Sequence, residues 1–260
     1  DCNRFLKFGK LLERAAVLGC SHVATGHYAR IGRQDGRFVL KRARDETKDQ
    51  SYVLYAMDQQ QLAHTRFPLG ELTKAQVRRM AAQAGFVNAD KPDSQDICFA
   101  PDGDYAAAIA RITGRPAQPG DFVDMDGRPL GRHRGIVHYT VGQHRGLGLS
   151  LPERRYVCAI RPAENAVVLG PEAALYRRTV LVPAFHWISG EPPAQPVRGQ
   201  AKLRYRQPAQ PVLAQPLDGA AVLLCFDAAQ RAVTPGQAAV LYDGDVVLGG
   251  GVIGRAQPPE

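Results

Sequence analysis

The sequence predicts an α/β region followed by two β-rich ones, a small central domain and a terminal β-barrel. Near the start, a helical period runs into a short apolar stretch that ends in Gly-His. Helix followed by buried strand is the order that builds parallel α/β sheets. From about residue 116, prolines and glycines multiply and the apolar runs shorten to four to six residues. Short runs joined by D-G, E-N and proline-rich turns are an all-β pattern. The boundaries expected from these shifts are 1–115, 116–174 and 175–260.

Each element has its own reason. In "RFLKFGKLLERAAVLGC", Phe5, Phe8, Leu11, Leu12, Ala15 and Ala16 recur at three- and four-residue spacings, and Gly19 stands where a helix stops. "SHVATGHYAR" is a buried-strand run breaking into a loop. Ligands of parallel sheets bind at the carboxyl ends of strands, which puts Thr25, Gly26 and His27 at a ligand edge. Residues 34–42, "QDGRFVLKR", read as a turn and a strand. Thr73 is placed to cap a helix over "KAQVRRMAAQAG", with Gly85 as its stop. "YDGDVVLGGGVI" is a hairpin on its D-G signal, and "SGEPPAQPVRGQ" reads as a loop because proline cannot donate to a central ladder.

With 260 residues, the chain has room for one large domain or two to three small ones. Its 45% hydrophobic and 22% charged composition is that of a soluble globular protein. The lack of any run of about 18 apolar residues predicts no membrane span, and "DCNRFLKFGK" has no apolar signal core, so a cytoplasmic location is expected. A start on Asp rather than Met suggests a piece of a longer protein. The net charge of +8 favours an acidic partner, of which nucleic acid is the commonest large one. The five cysteines are scattered and form no C-x-x-C pair, which argues against a disulfide framework and a zinc site, so no bound metal is expected.

Cys98 lies in "KPDSQDICFAPDGDY" among Asp93, Asp96, Asp102 and Asp104. Such carboxylates raise a thiol's pKa, so the residue reads either as a reactive thiol in an unusual setting or as an inert one. Cys2 heads a helix with Arg4 and Lys7 nearby, a setting that favours the thiolate; the alternative is a terminal residue without a role. Cys20, Cys158 and Cys225 sit in apolar contexts and read as buried structural cysteines. His27 is a neutral base, a hydrogen-bond donor to substrate, or a plain strand-end histidine. In "KLRYRQ" and "TVGQHRGLGL", basic residues interleave with aromatic and polar ones. That pattern suits phosphate pairing and base stacking, or else a solvated strand face. No phosphate-binding G-x-x-x-x-G-K-[ST] occurs, and "LGGGVIG" falls inside a hairpin pattern.

Eight stretches in order, "DCNRFLKF", "ATGHYAR", "KDQSYVLY", "FPLGELTKAQVR", "KPDSQDICF", "HYTVGQHRGLGL", "KLRYRQ" and "VTPGQAAVLYDGDVVLGGGVI", resemble the tRNA-specific 2-thiouridylase family, MnmA, over nearly the whole chain. The resemblance implies that residues 1–115 are the C-terminal part, or remnant, of an adenine-nucleotide alpha-hydrolase-like (PP-loop ATPase) catalytic domain. The central β-rich domain would then bind tRNA. It implies an enzyme that uses ATP, with Mg2+ expected, to adenylate O2 of the wobble uridine and replace it with persulfide sulfur, releasing AMP and pyrophosphate. Cys98 becomes the persulfide carrier and Cys2 the nucleophile that closes a disulfide with it. A persulfide is more acidic than a thiol, so Cys98 tolerates its acidic neighbours, and its segment is expected to be accessible or movable. Gly26 is implied to contact ATP, and Asn3, Arg4 and Phe5 to lie at the target base. His27, Lys48, Asp49, Gln50, Arg204, Tyr205 and Gln237 are implied to touch tRNA. The implied partners are tRNAs of the Lys, Glu and Gln type and a sulfur-relay protein that donates the persulfide, with the enzyme a monomer.

Two departures from the family pattern stand out. The S-G-G-x-D-S loop of the family's ATP site is absent, so this chain is expected to be inactive alone, and His144 stands where the family has arginine in "GQRxGLG". Two competing readings are a non-catalytic tRNA-binding fragment and an unrelated thiol enzyme acting on a small acidic substrate.

Overall fold

A computed structural model describes residues 2–90 and 104–255, leaving aside the side chains of Cys2 and Arg4. The chain divides into two compact units. One joins Asp1–Lys91 to Arg178–Ala228 and Thr234–Glu260; the other joins Pro92–Arg177 to Ala229–Val233.

In the first unit, the opening helix begins as a π-helix, Cys2–Lys10, and continues as an α-helix, Leu11–Val17. The wider turn explains why the expected apolar stripe is only partly buried. Bonding from i to i+5 rotates residues three apart off a common face, so Phe8 is buried and Leu12 packs against the core while Phe5 and Leu11 are exposed. The helix stops as predicted at Gly19, whose φ of 75° is left-handed. There, Cys20 N donates to Ala15 O at 2.9 Å and Gly19 N to Ala16 O at 3.0 Å, the paired bonds of a Schellman cap.

The buried strand that follows is short. Val23–Ala24 pairs in parallel with Thr65–Arg66, which confirms a parallel arrangement in two residues per strand. Asp35 and Gly36, both at positive φ, turn Ala29–Gln34 back onto Arg37–Arg42, as a two-residue hairpin requires. That hairpin then pairs far down the chain, with Val246 opposite Lys41 and Val247 opposite Leu40. The resulting nine-stranded sheet runs Ala29–Gln34, Arg37–Arg42, Val246–Val252, Ala238–Asp243, Val197–Lys202, Gln210–Pro216, Val222–Arg231, Tyr176–Val182, with Phe185–Trp187 also paired to Val246–Val252.

The closed barrel expected for the terminal region is not formed among the described residues. The early hairpin occupies one end of an open path, and no ladder joins it to Tyr176–Val182. Nor is "SGEPPAQPVRGQ" a loop throughout, because a strand starts at Val197, as soon as the last proline is passed.

The core of this unit gathers Phe8, Leu40, Tyr52, Leu54, Leu62, Val240, Tyr242 and Val247, each large apolar side chain contributing about 1.5–3 kcal/mol on burial. The Thr73 helix is Lys74–Gln83, with a capping box in which Thr73 Oγ1 accepts from Gln76 N at 3.3 Å and Gln76 Oε1 from Thr73 N at 2.8 Å. A five-residue helix, Gln59–Ala63, has the same device at Asp58 and Gln61.

The second unit is a four-stranded sheet in the order Pro129–His133, Gly120–Val123, Ala166–Gly170, Tyr156–Arg161. Its core is Phe122, Tyr139, Val157, Val167 and Leu169. A helix over Tyr105–Thr113 belongs to this unit and has no counterpart in the elements read from sequence. Asp104 caps it by accepting from Ala107 N at 2.9 Å, and Gly114 ends it at a φ of 68°.

The cysteine reading is corrected. Cys20 is exposed, and Cys158 and Cys225 are half-buried rather than buried. Cys20 emerges directly from the left-handed Gly19 turn, which lifts it off the helix and away from the core. No helix among the described residues is long and apolar enough to cross a membrane.

Candidate functional site

The residues singled out from the sequence in the first unit converge on the short 3-10 turn Ser51–Leu54. Just before it, Gln50 N donates to Tyr28 O at 2.8 Å and Gln50 Oε1 accepts from Tyr28 N at 2.9 Å. These two hydrogen bonds fix the Lys48–Gln50 run against Tyr28, which follows the Thr25–Gly26–His27 loop. Asn3 joins the turn from the opening helix, its Nδ2 donating to Val53 O at 3.2 Å. Tyr52 reaches the other side. Its ring lies 5.9 Å from that of Tyr205, and its hydroxyl donates to Ala238 O at 2.8 Å, beside Gln237. Arg204 completes the circuit by donating from Nη2 to Thr234 Oγ1 at 2.7 Å, while Gln237 N donates to Thr234 O at 3.2 Å.

Within this circuit the groups divide by exposure. Tyr205, 41% exposed, and Gln237 face solvent, with Lys48 and Arg204 half-buried. Asp49 is spent inside: Oδ1 accepts from Ala43 N at 3.0 Å and Ser51 N at 3.1 Å, and Oδ2 from Ser51 Oγ at 2.8 Å. Two further cations stand near it. The Arg42 guanidinium lies 4.2 Å from the Tyr242 ring centre. Lys202 has its pKa lowered chiefly by burial, with Arg42 adding to the effect and Asp49 opposing it.

Burial raises the Tyr52 phenol to about 12, with Tyr55 contributing, so Tyr52 is a neutral donor at any working pH.

His27 is buried at the strand end, only 8% exposed. Its ring sits 5.8 Å from Phe8 and 5.9 Å from Phe67. Nδ1 lies 2.8 Å from Thr25 Oγ1 and Nε2 3.5 Å from Lys7 Nζ. Burial first, and the Lys7 charge second, pull its pKa down to about 4. Both ring nitrogens are therefore taken by intramolecular partners, and the imidazole is neutral. Gly26 beside it has an unusual freedom. A Cβ there would meet only Leu69 Cδ1, at 3.6 Å, and its φ is not left-handed, so the chain's own packing does not require glycine.

Phe5, 57% exposed, lies on the solvent side of the opening helix. Cys2 is placed by its backbone at the helix start, Arg4 by its backbone two residues on, and Cys98 lies outside the described residues. Among the described residues no group of three or more His, Cys, Asp or Glu is arranged to hold a metal. Sequence reasoning missed Tyr52 and noted Lys7 only as a charge near Cys2, although both sit inside stretches it singled out, "KDQSYVLY" and "DCNRFLKF". Thr234 lies likewise in "VTPGQ".

Comparison with known proteins adds the decisive observation. Residues 1–102 match the tRNA methyl transferase HUP domain, 112–171 the tRNA methyl transferase PRC-barrel domain, and 177–253 the aminomethyltransferase beta-barrel domain. The chain is 51% identical over 260 residues to the tRNA-specific 2-thiouridylase MnmA of Chloroflexus aggregans, covering 99% of this chain and 72% of that protein. The chain belongs to the tRNA-specific 2-thiouridylase family.

Members named tRNA-specific 2-thiouridylase MnmA from Acetivibrio thermocellus and Heliobacterium modesticaldum are 46% and 48% identical to it. These matches cover 97% and 98% of this chain, and 71% and 67% of those proteins. For a 2-thiouridylase the circuit is chemically apt: neutral phenol and amide donors gather beside the HUP-domain strand end with two arginines, Arg42 and Arg204, and two lysines, Lys48 and Lys202. Such groups recognise phosphate, ribose and unstacked bases.

Proposed function

We propose that the protein is a tRNA-uridine 2-sulfurtransferase, which uses ATP to replace O2 of the wobble uridine with sulfur. The observation that carries this is the 51% identity, across the whole chain, to a protein named tRNA-specific 2-thiouridylase. The HUP-domain match supports the use of a nucleotide by the catalytic part, residues 1–115, with 116–174 and 175–260 serving tRNA.

In the first step the uridine O2 attacks the α-phosphorus of ATP and pyrophosphate leaves. The terminal sulfur of a persulfide on Cys98 then attacks C2. The Cys2 thiolate next attacks the Cys98 sulfur, forming a Cys2–Cys98 disulfide and breaking the bond to the transferred sulfur, whose electron pair stays with that sulfur. AMP departs with the C–O electrons, and a thiol reductant restores both cysteines. A helix start lowers a thiol's pKa through the unsatisfied N–H groups there, which suits Cys2 to this role.

Gly26, with space beyond it, takes the nucleotide close to the backbone. Asn3, Arg4 and Phe5 receive the target base. Lys48, Gln50, Arg204, Tyr205 and Gln237 meet the tRNA, with Asp49 shaping the loop that carries Lys48 and Gln50. His27 supports the same surface from within.

The test uses protein made from the complete reading frame, unmodified tRNA, ATP and a persulfide donor, with nucleosides read by mass spectrometry. Formation of 2-thiouridine that depends on ATP supports the reading. Protein that binds tRNA but forms no 2-thiouridine would instead be a tRNA-binding module.

A further inference from the structure

We infer that Lys7 binds the phosphate of the nucleotide that activates the uridine, and that His27 is the residue that positions it. The inference rests on the sulfurtransferase reading and adds a residue to it.

His27 cannot itself reach a ligand, because its ring is buried and both nitrogens are engaged. An ammonium has donors only, so at the Lys7 contact His27 Nε2 must be the acceptor. The remaining ring proton then sits on Nδ1 and is donated to Thr25 Oγ1. In this tautomer the Lys7 ammonium faces a neutral ring. Lys7 is half-buried, and its one recorded polar partner among the described residues is that imidazole, with no carboxylate. Two of its three N–H donors are left for another acceptor, and a half-buried cation with no carboxylate beside it suits an anionic one.

Position identifies the anion. Lys7 stands against the loop at the carboxyl end of Val23–Ala24, the edge where parallel sheets hold ligands. It also follows Cys2 by five residues in a π-helix, and the i to i+5 repeat of that helix puts the two positions on one face. A cation in that place meets the phosphate joined to the uridine, whose charge grows as AMP leaves.

The test compares wild type, Lys7→Gln and Lys7→Arg made from the complete reading frame. It follows 2-thiouridine formation at saturating ATP, and tRNA affinity at several salt concentrations. Loss of one oriented charge donor predicts a fall of about a hundredfold in kcat for Lys7→Gln. Lys7→Arg should recover most of the loss, and tRNA affinity should stay within about twofold of wild type. Lys7→Met, which keeps the aliphatic stem, serves if Lys7→Gln melts early.

An active wild type with Lys7→Gln within about threefold of it overturns the inference. So does a variant that binds tRNA more weakly with its salt slope reduced by about one, since that places Lys7 on a tRNA phosphate. A wild type that makes no 2-thiouridine overturns the sulfurtransferase reading itself, and the inference with it.

Discussion

Three donors meet the two oxygens of Asp49, which is 9% exposed, and only one of them, Ser51 Oγ, has another group in reach, the Tyr242 hydroxyl at 3.5 Å, so removing the carboxylate strands the Ala43 and Ser51 amides. Asp49→Ala should therefore cost about 2–4 kcal/mol of stability, since each buried group left unpaired costs about 1–3 kcal/mol. Urea unfolding checks this, and an unchanged midpoint would contradict it. His27 gives stability a pH dependence. The unfolded chain takes up the imidazole proton near pH 6.5, while the folded one resists until about 4. Stability present above pH 6.5 is then lost progressively as pH falls to about 4. His27→Gln should flatten that slope in thermal melts across the same window. The role of Asp49 was not legible in the sequence, where only the family resemblance spoke for it and set it against tRNA; for His27 the plain strand-end reading stood among the alternatives, and its burial agrees with that one. A motif specifies the residue type, whereas burial and partners decide which way the side chain points.

At the scale of elements, Gly249, Gly250 and Gly251 show why a strand carries a glycine run. A Cβ on Gly249 would strike His186 O, and one on Gly251 would strike Ala184 O. The run lets Phe185–Trp187 pair closely along Val246–Val252. Gly249→Ala should lower stability by at least about 2 kcal/mol, because the clash is with backbone, which cannot rotate away. A melting temperature equal to that of wild type would count against this.

Local signals were readable: the Gly19 stop, the Asp35-Gly36 turn and the Thr73 cap all stand where the sequence put them. The Tyr105–Thr113 helix also had its signals, Asp104 before an alanine-rich run and Gly114 after it, but the run is short. Pairing of Arg37–Arg42 with Val246–Val252 was not readable, because strand alternation fixes which face is buried and not which distant strand lies alongside.

At the scale of the whole molecule, a chain of net charge +8 supplies an electrostatic attraction for tRNA, and the circuit around Ser51–Leu54 gathers polar and aromatic groups from five stretches of the sequence. The ordered blocks pointed to the family, because their residues are fixed by shared chemistry. The convergence of Asn3, Gln50, Tyr205 and Gln237 needed the fold, since they are separated by up to 234 positions in the chain, from residue 3 to residue 237. The central claim is that Cys98 carries the transferred sulfur. Its most direct test is a single turnover with protein from the complete reading frame preloaded with 35S persulfide, comparing wild type with Cys98→Ser. The prediction is that label appears in 2-thiouridine for the wild type, together with a Cys2–Cys98 disulfide, and that Cys98→Ser transfers none. Labelled 2-thiouridine formed by Cys98→Ser at the wild-type rate would contradict it.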